Sequence, residues 1–479
     1  MNTITSAFIV HYYSSRLFLL IALFFSFNAL AQQQDTSESY IIIEEICYIG
    51  NSKTRERVVE RELTFHVGDT IAIEAIGTMI ASNEKLLTNN FLFKSARINI
   101  SQWDIRTNQV RLDVWVEERW YYYPSPIFEL SDRNFNVWWV QQHRDLKRTN
   151  IGLDIKVNNL TGNYDQLKLK GQLGFTPKFQ IDYQFPYINR KQTIGLLLNA
   201  LWTTNEEVVY AIEGNKEVFG REGGRKLLNR FRLVLGLDYR PRLFTHHFLK
   251  IGYLSNTIDS VVTLWNQDYF LNGATAQRFL TATYEYTFNN ARTVFYPMTG
   301  DQIKFGVTDE GLGLAKNYHN LQLKFKWSNY HTLTDRFSYY TELYGQLSLI
   351  RTKMPFYNYR GLGYDQDYVR GYEYYVFNGL DYGMLRTNFR MKLMDKDWNW
   401  KRWMPVKQLK IMNYQIYFGI ISDFAYINDP YYGKDNHLNN KLLWGTGVGI
   451  DVVLYKTAVC RFNIVRNHLS NIGLYLHLN

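Results

Sequence analysis

The segment Gly363-Tyr-Asp-Gln-Asp-Tyr-Val-Arg-Gly-Tyr-Glu-Tyr-Tyr375 is the most informative part of the chain. At its centre, Val369, Arg370, Gly371 and Tyr372 place a permanent cation beside a glycine within a run of aromatic side chains. Segments with the period-two alternation of half-buried β-strands lie on both sides of it. The segment therefore predicts a long loop that connects two strands of a large β-structure.

Alternating segments separated by turn residues continue through most of the chain. In Ile151-Gly-Leu-Asp-Ile-Lys-Val157, one face is apolar and the other is partly charged. Such segments suit a transmembrane antiparallel β-barrel, because alternate side chains then face lipid and a wet lumen. The pattern predicts a mainly β protein with about sixteen barrel strands, near residues 150–158, 165–175, 178–188, 193–202, 207–213, 230–240, 246–255, 279–288, 301–308, 319–330, 337–349, 384–394, 413–426, 442–455, 458–466 and 471–478.

The N-terminal part of the chain has a different character. Residues 1–31 have the basic, apolar and small-residue regions of a secretory signal peptide, and residues 32–39 form a polar tether. Residues 40–118 predict a small α+β domain with one strand, two helices and two further strands. An aromatic, proline-bearing junction is expected at 119–148, ahead of a barrel at 149–479.

In this order, the features resemble the BamA/TamA superfamily of outer-membrane assembly and translocation proteins. Val369–Tyr372 resembles the Val-Arg-Gly-Phe/Tyr tip of that family's sixth extracellular loop, which folds back into the barrel. Ile49-Gly-Asn-Ser-Lys-Thr54, followed by Gly68-Asp69, is similar to the POTRA (polypeptide-transport-associated) domain. The resemblance implies a barrel of sixteen strands in the bacterial outer membrane and one POTRA domain in the periplasm.

Arg370 requires an acidic partner, because an unpaired guanidinium inside a barrel is costly. The resemblance implies Asp423, within Phe418-Gly-Ile-Ile-Ser-Asp-Phe-Ala425, although Ile421 and Ala425 replace residues that the family pattern has there. Asp365 and Asp367 are competing partners close in sequence. An Asp423 at the barrel rim that binds only water is a further alternative.

The last strand, Asn471-Ile-Gly-Leu-Tyr-Leu-His-Leu478, is similar to the β-signal of outer-membrane proteins, with a glycine at 473 and apolar residues at Leu476 and Leu478. Gly473 weakens the strand locally. We therefore expect a seam that opens between this strand and the strand that holds Ile151 and Leu153. A glycine present only to relieve crowding is the alternative.

The sequence lacks the signatures of common enzymes. There is no Gly-x-Ser-x-Gly elbow, no His-Glu-x-x-His and no Walker loop. Gly445-Thr-Gly-Val-Gly449 is similar to a dinucleotide loop, but Ile450 occupies the place of its third glycine and the motif lies within a predicted strand. We expect no enzymatic activity, no cofactor and no metal.

The net charge of +10 is concentrated beyond residue 120. It suits either a basic polar lumen or contact with anionic lipid headgroups, and no nucleic-acid-binding motif accompanies it. The resemblance implies unfolded outer-membrane or exported polypeptides as clients, with outer-membrane lipids and periplasmic or lipoprotein components as candidate partners. A plugged transport pore and a surface antigen or scaffold are the rival functions.

Overall fold

The computed structural model describes residues 39–478 except 190, 192, 292, 294, 316–317, 365–366 and 401–409. The predicted signal peptide at 1–31 and almost all of the predicted tether lie outside the described residues. The chain divides into two compact units, one formed by residues up to Asn51 with Glu62–Glu118, and the other by Ser52–Arg61 with Arg119–Asn479. Among the described residues, no helix is long and apolar enough to cross a membrane.

The first unit is a small α+β fold, as the sequence predicts. Up to residue 118 the elements are β1 (Tyr40–Ile49), α1 (Glu56–Arg61), β2 (Thr70–Ala72), α2 (Ile73–Asn89), β3 (Phe93–Asp104) and β4 (Gln109–Glu118), of which α1 belongs to the second unit. The sheet order is β2-β1-β4-β3, with β1 and β4 parallel and the other pairs antiparallel. The alternating apolar residues of β4 are buried, because they face the core of this unit: Val110, Leu112, Val114 and Val116.

The second unit is built on a sixteen-stranded antiparallel sheet, which confirms the predicted barrel class. The strands in chain order are β5 (Tyr122–Leu130), β6 (Thr149–Asn158), β7 (Gln166–Gly174), β8 (Lys178–Phe185), β9 (Ile194–Asn205), β10 (Glu207–Glu213), β11 (Lys216–Arg221), β12 (Leu228–Arg242), β13 (Thr245–Ile258), β14 (Ala276–Asn289), β15 (Gly300–Glu310), β16 (Asn320–Thr332), β17 (Phe337–Ser348), β18 (Asp381–Asn399), β19 (Ile411–Asn428), β20 (Leu442–Leu454), β21 (Ala458–Asn467) and β22 (Ile472–Leu478). Sixteen of these strands form that sheet, and β10 and β11 form a separate two-stranded sheet. The connections also hold helices α3 (Phe135–Val140) and α4 (Ser260–Trp265), and short 3₁₀ turns at Leu146–Arg148, Phe356–Asn358 and Gly433–Asp435.

Two of the strand predictions were wrong, and the two errors cancel in the count. Residues 122–130, expected within the junction, form the first barrel strand β5, so the barrel begins at Tyr122 and not at residue 149. Pro124 and Pro126 argued against a strand there, but β5 lies at the edge of the sheet, where proline is tolerated. Residues 207–213, expected as the fifth barrel strand, pair only with β11 in a separate hairpin among the described strands.

The two faces of the barrel sheet differ in polarity. Large apolar side chains project outward and are exposed, among them Ile151, Leu173, Leu235, Ile251, Ile420 and Leu474. Inward positions carry buried polar side chains, among them Gln322, Asn388, Asp451 and Asn463. An apolar exterior around a polar interior is the arrangement of a barrel that spans a lipid bilayer.

The connections at the two ends of the barrel differ in length. The end where β5 and β6 are joined carries most of the long connections, including residues 131–148, 206–227, 259–275 and 349–380, and is called the loop end. The opposite end has tighter turns, such as residues 243–244 and 455–457, and is called the turn end. The longest described connection, residues 349–380, is called the inner loop and contains the Val369–Tyr372 tip.

The β10–β11 hairpin lies outside the barrel ladder, since β9 and β12 pair directly from Asn205 with Leu228 onward. Replacing residues 207–226 by an Asn-Gly turn should therefore leave the barrel able to fold. The measurement is retention of the compact, heat-modifiable species on gels after refolding into detergent.

The matched control is deletion of residues 122–130, which removes a strand of the ladder and should abolish the compact species. Equal loss of folding in both variants would show that the hairpin is required for the barrel.

Candidate functional site

The tip of the inner loop is bound inside the barrel through Arg370. The guanidinium Nε donates to both carboxylate oxygens of Asp423, at 3.0 and 2.9 Å, and Nη2 donates to Oδ1 of the same carboxylate. The backbone N–H of Arg370 donates to Asp423 Oδ2 at 3.0 Å, and Nη2 also reaches the carbonyl of Thr387 at 2.8 Å. Asp423 is fully buried and Arg370 is 6% exposed. Because so little of either side chain is exposed to water, each charge is neutralised by the other.

Asp423 is also part of a longer row of alternating charges on neighbouring strands. Arg386 Nε lies 3.5 Å from Asp423 Oδ2, and Arg386 Nη1 lies 3.4 Å from Glu342 Oε1. Lys326 Nζ lies 2.8 Å from Glu342 Oε2, and the Tyr340 hydroxyl donates to the same oxygen at 2.6 Å. Our sequence reasoning did not single out Arg386, Glu342 or Lys326. Their inward phase within the alternating strands was the available signal, but the phase alone does not say which residues meet.

Glycines on both sides of the contact allow the backbone of the tip to approach the barrel wall. Gly371 has φ +91°, a conformation that other residues rarely adopt. Gly445 faces Asp423 across the β19–β20 pair, and a Cβ on it would stand 1.9 Å from the carbonyl oxygen of Arg370. Gly445 therefore allows the tip to approach β20 closely. This contact accounts for the glycine at position 445 without a bound nucleotide.

Tyr372 anchors the tip in an apolar pocket. Its side chain is fully buried with Val369, Leu362, Phe377 and Leu443. Its hydroxyl donates to the carbonyl of Trp444 at 3.2 Å and hydrogen-bonds with Nδ1 of His468. Val369, Arg370, Gly371 and Tyr372 thus all contribute to one bound conformation.

The tip continues from its seat toward the last strand. Asn467 Nδ2 donates to the carbonyl of Gly371 at 2.8 Å. Glu373 is fully buried, accepts the Gly371 N–H at 2.9 Å and lies 3.3 Å from His477 Nε2 on β22. Tyr374 packs against Tyr475, also on β22, with 5.7 Å between ring centroids. The inner loop therefore contacts the barrel wall between β18 and the last strand, β22.

The first connection at the loop end, residues 131–148, is bound to the inner loop on both sides of the tip. Arg133 Nη1 donates to the carbonyls of Gly363 and Glu373 at 3.0 and 2.9 Å, and Asn134 Nδ2 donates to Glu373 O at 2.9 Å. Arg133 Nε also pairs with Glu217 of the β10–β11 hairpin at 3.1 Å. Burial raises the pKa of the Glu217 carboxyl, and the Arg133 guanidinium opposes that rise.

The turn end of the lumen is occupied by a different segment. The Tyr296 hydroxyl, on the connection before β15, donates to Asp451 Oδ2 at 2.7 Å. Arg390 lies over the Tyr296 ring, 4.5 Å from its centroid, and Tyr296 packs on Tyr417 with ring centroids 5.0 Å apart. The lumen is thus occupied by chain segments from both ends.

The seam differs from our expectation in its first strand. Ile151 and Leu153 lie on β6, the second strand of the barrel, where they pair with β5 and β7. Our expectation placed them on the first strand because it did not include β5. Gly473, Leu476 and Leu478 do lie on β22, the last strand. Within the described part of the chain, no strand pairing joins β5 to β22, so these two strands are the ends of the sheet.

Among the residues that the structure describes, the remaining candidate groups give no second site. Asp365 lies outside the described residues, while Asp367 accepts the Gly363 N–H at 3.2 Å. No cluster of three His, Cys, Asp or Glu side chains suited to a metal ion occurs among the residues that the structure describes.

Removing either member of the buried Arg370–Asp423 pair should destabilise the barrel strongly. Either Arg370→Ala or Asp423→Ala leaves a buried charge without its partner, which costs about 3–5 kcal/mol, and the double variant should lose less than the sum of the two. The measurement is a double-mutant cycle on urea unfolding in detergent. The Arg351–Asp381 pair, at 2.6 Å, is the control, because the Arg351 side chain is 51% exposed, and it should couple by about 0–1 kcal/mol. Additive losses at Arg370 and Asp423 would contradict the prediction.

A methyl group at position 445 should displace the tip, since its Cβ would collide with the Arg370 carbonyl. We expect Gly445→Ala to destabilise the barrel by about 1–3 kcal/mol and to expose the inner loop to added protease. Gly383→Ala is the control, because a Cβ there meets nothing within 4 Å. Equal protease resistance of the two variants would show that the close approach at Gly445 is unimportant.

Comparison with known proteins gives matches in structure only. No protein-family model matches the chain, and no curated protein sequence matches it. The structure of BamA from Haemophilus ducreyi lacking POTRA domains 1–3 superimposes with a TM-score of 0.51 at 12% identity, over 92% of this chain and 84% of that one. CdiB from Acinetobacter baumannii superimposes with a TM-score of 0.50 at 12% identity, over 91% of this chain and 73% of that one. The resemblance to the BamA/TamA superfamily is therefore confirmed at the level of the fold, which this chain shares.

Proposed function

We propose that the protein inserts or translocates unfolded polypeptides at the bacterial outer membrane, by a non-covalent mechanism that uses the junction between β5 and β22. The observation that carries the proposal is the sheet order, in which the first and last strands end the sheet without pairing with each other among the described residues. An exposed strand edge can bind an extended polypeptide by adding it as a further strand.

The contents of the lumen support this mechanism over a plugged transport pore. Arg370 binds Asp423 on one side, and Tyr296 binds Asp451 toward the other end. These buried contacts resist displacement, since each would leave a polar group without its partner. By contrast, no strand pairing joins β5 to β22 among the described residues, so opening the barrel there breaks fewer backbone hydrogen bonds than separating two paired strands.

The first unit suits reception of a client. Its sheet ends in β3 on one side and in the short β2 on the other, and sheet edges bind extended peptides. Its order of elements, together with Ile49–Thr54 and Gly68-Asp69, supports a POTRA-like role in the periplasm. The fold shared with BamA and CdiB and the apolar exterior support a location in the outer membrane, in contact with its lipids.

The test is a reversible lock of the junction. Phe128 on β5 and Leu474 on β22 are exposed outward positions, 68% and 67% accessible. Cysteines at both positions, joined by a reducible bis-maleimide after Cys47→Ser and Cys460→Ser, should abolish the insertion of a urea-denatured outer-membrane barrel protein into liposomes. Reduction of the linker should restore insertion, because the two strands can then separate.

The control lock joins Leu323 and Leu347, which are directly paired on β16 and β17, and should not affect insertion. Full activity with the β5–β22 lock would reject the lateral mechanism. Large, steady ion conductance without any effect on client insertion would favour a transport pore. The absence of both ion conductance and client insertion would favour a scaffold.

A further inference from the structure

The edge of β5 that faces the junction is poor in hydrogen-bond donors. Ser131 N–H donates to Arg148 O and Asn158 N–H donates to Tyr121 O, both at 2.8 Å, so odd-numbered residues face β6. The β5–β6 register has no shift, and alternate residues direct their backbone groups to the same side. Pro124 and Pro126 therefore both face the junction, where each lacks an N–H. This edge cannot form a regular ladder at those positions.

The edge of β22 carries no proline. The backbone N–H and C=O of Leu476 face the junction. There both groups are bound by one side chain, that of Asn136 on α3. Asn136 Oδ1 accepts the Leu476 N–H at 3.1 Å, and Asn136 Nδ2 donates to the Leu476 carbonyl at 3.2 Å. A carboxamide has the donor and acceptor of a peptide group. It thus reproduces the two bonds that opposite residues exchange in an antiparallel pair.

The side chain of Leu476 is also less exposed than those of its outward neighbours on β22. The outward residues Leu474 and Leu478 are 67% and 59% exposed, whereas Leu476 between them is only partly exposed. Asn136 itself is 6% exposed. The backbone of Leu476 is therefore bound by a buried side chain that occupies the place of a neighbouring strand.

Helix α3 is bound to Glu373 and Tyr374, the two residues that directly follow the tip of the inner loop. Asn134 caps the helix by accepting the Val137 N–H at 2.9 Å, and its Nδ2 donates to Glu373 O at 2.9 Å. At the other end, Gln141 Nε2 donates to the carbonyl of Tyr374 at 3.3 Å. The helix whose side chain binds Leu476 is thus joined to the segment that Arg370 fixes in the barrel.

We propose that an incoming polypeptide strand pairs with β22 and not with β5, and that it enters at Leu476 by displacing the side chain of Asn136. The inference rests on the proposed function and names the edge and position at which the client binds. Its ligand is an extended segment that presents a backbone N–H and C=O to Leu476. Movement of α3 releases that position, whereas no side-chain movement restores the donors absent from Pro124 and Pro126.

The binding edge is identified by photo-crosslinking in liposomes. The probe is a urea-denatured, small outer-membrane barrel protein with a photoreactive group in its first or its last strand. Crosslinks mapped by mass spectrometry should fall on residues 472–478. Crosslinks that fall mainly on residues 122–130, with insertion accelerated, would overturn the inference and leave the proposed function standing. Absence of both capture and acceleration would overturn both.

The role of Asn136 is tested by Asn136→Ala. Loss of two hydrogen bonds of ordinary net strength should raise amide exchange at Leu476 and early crosslinking to β22 by about ten- to a hundredfold. Asn136→Asp should also raise both, because a carboxylate cannot donate to the Leu476 carbonyl. Gln142→Ala, which removes a carboxamide from the same connection, is the control and should change neither by more than about twofold. Unchanged exchange and crosslinking in Asn136→Ala would overturn the inference.

Discussion

A guanidinium inside a barrel must be neutralised where it lies, and Arg370 meets this requirement at Asp423. The contact has several hydrogen bonds, includes the backbone N–H of Arg370 and is almost completely buried. Buried ion pairs contribute more to a unique arrangement than to net stability in the systems where this is established. Here the pair specifies one position for the inner loop, and the pocket of Tyr372 and the close approach at Gly445 complete that position.

The position of the tip has consequences at both ends of the sheet. Glu373 and Tyr374 contact β22 through His477 and Tyr475, and their carbonyls bind Asn134 and Gln141 around α3. The same connection then reaches β22 through Asn136. One loop therefore orders the last strand and the segment that follows the first strand. Packed, hydrogen-bonded neighbours thus join the tip to the junction.

The differences between the predicted and observed strands have a physical origin. Residues 122–130 contain two prolines, which are rare in central strands, and only the position of β5 at the sheet edge makes them acceptable. Residues 207–213 alternate as a barrel strand would, because Val208 and Ile212 are buried in a core of the loop end. Alternation reports that one face is buried, but it does not say whether the burial is against lipid, lumen or other loops.

The sequence by itself determined the class of fold, the α+β first unit, the long loop with its Val369–Tyr372 tip and the need for an acidic partner, because periodicity and desolvation are local properties. The resemblance supplied the choice of Asp423 as that partner. Only the tertiary structure decided that β5 begins the barrel, that Arg386 and Glu342 extend the charged row, and that Asn136 meets Leu476. Those contacts join residues on different strands and loops, up to 340 positions apart. They depend on strand register and loop path, which the order of residues along one strand does not specify.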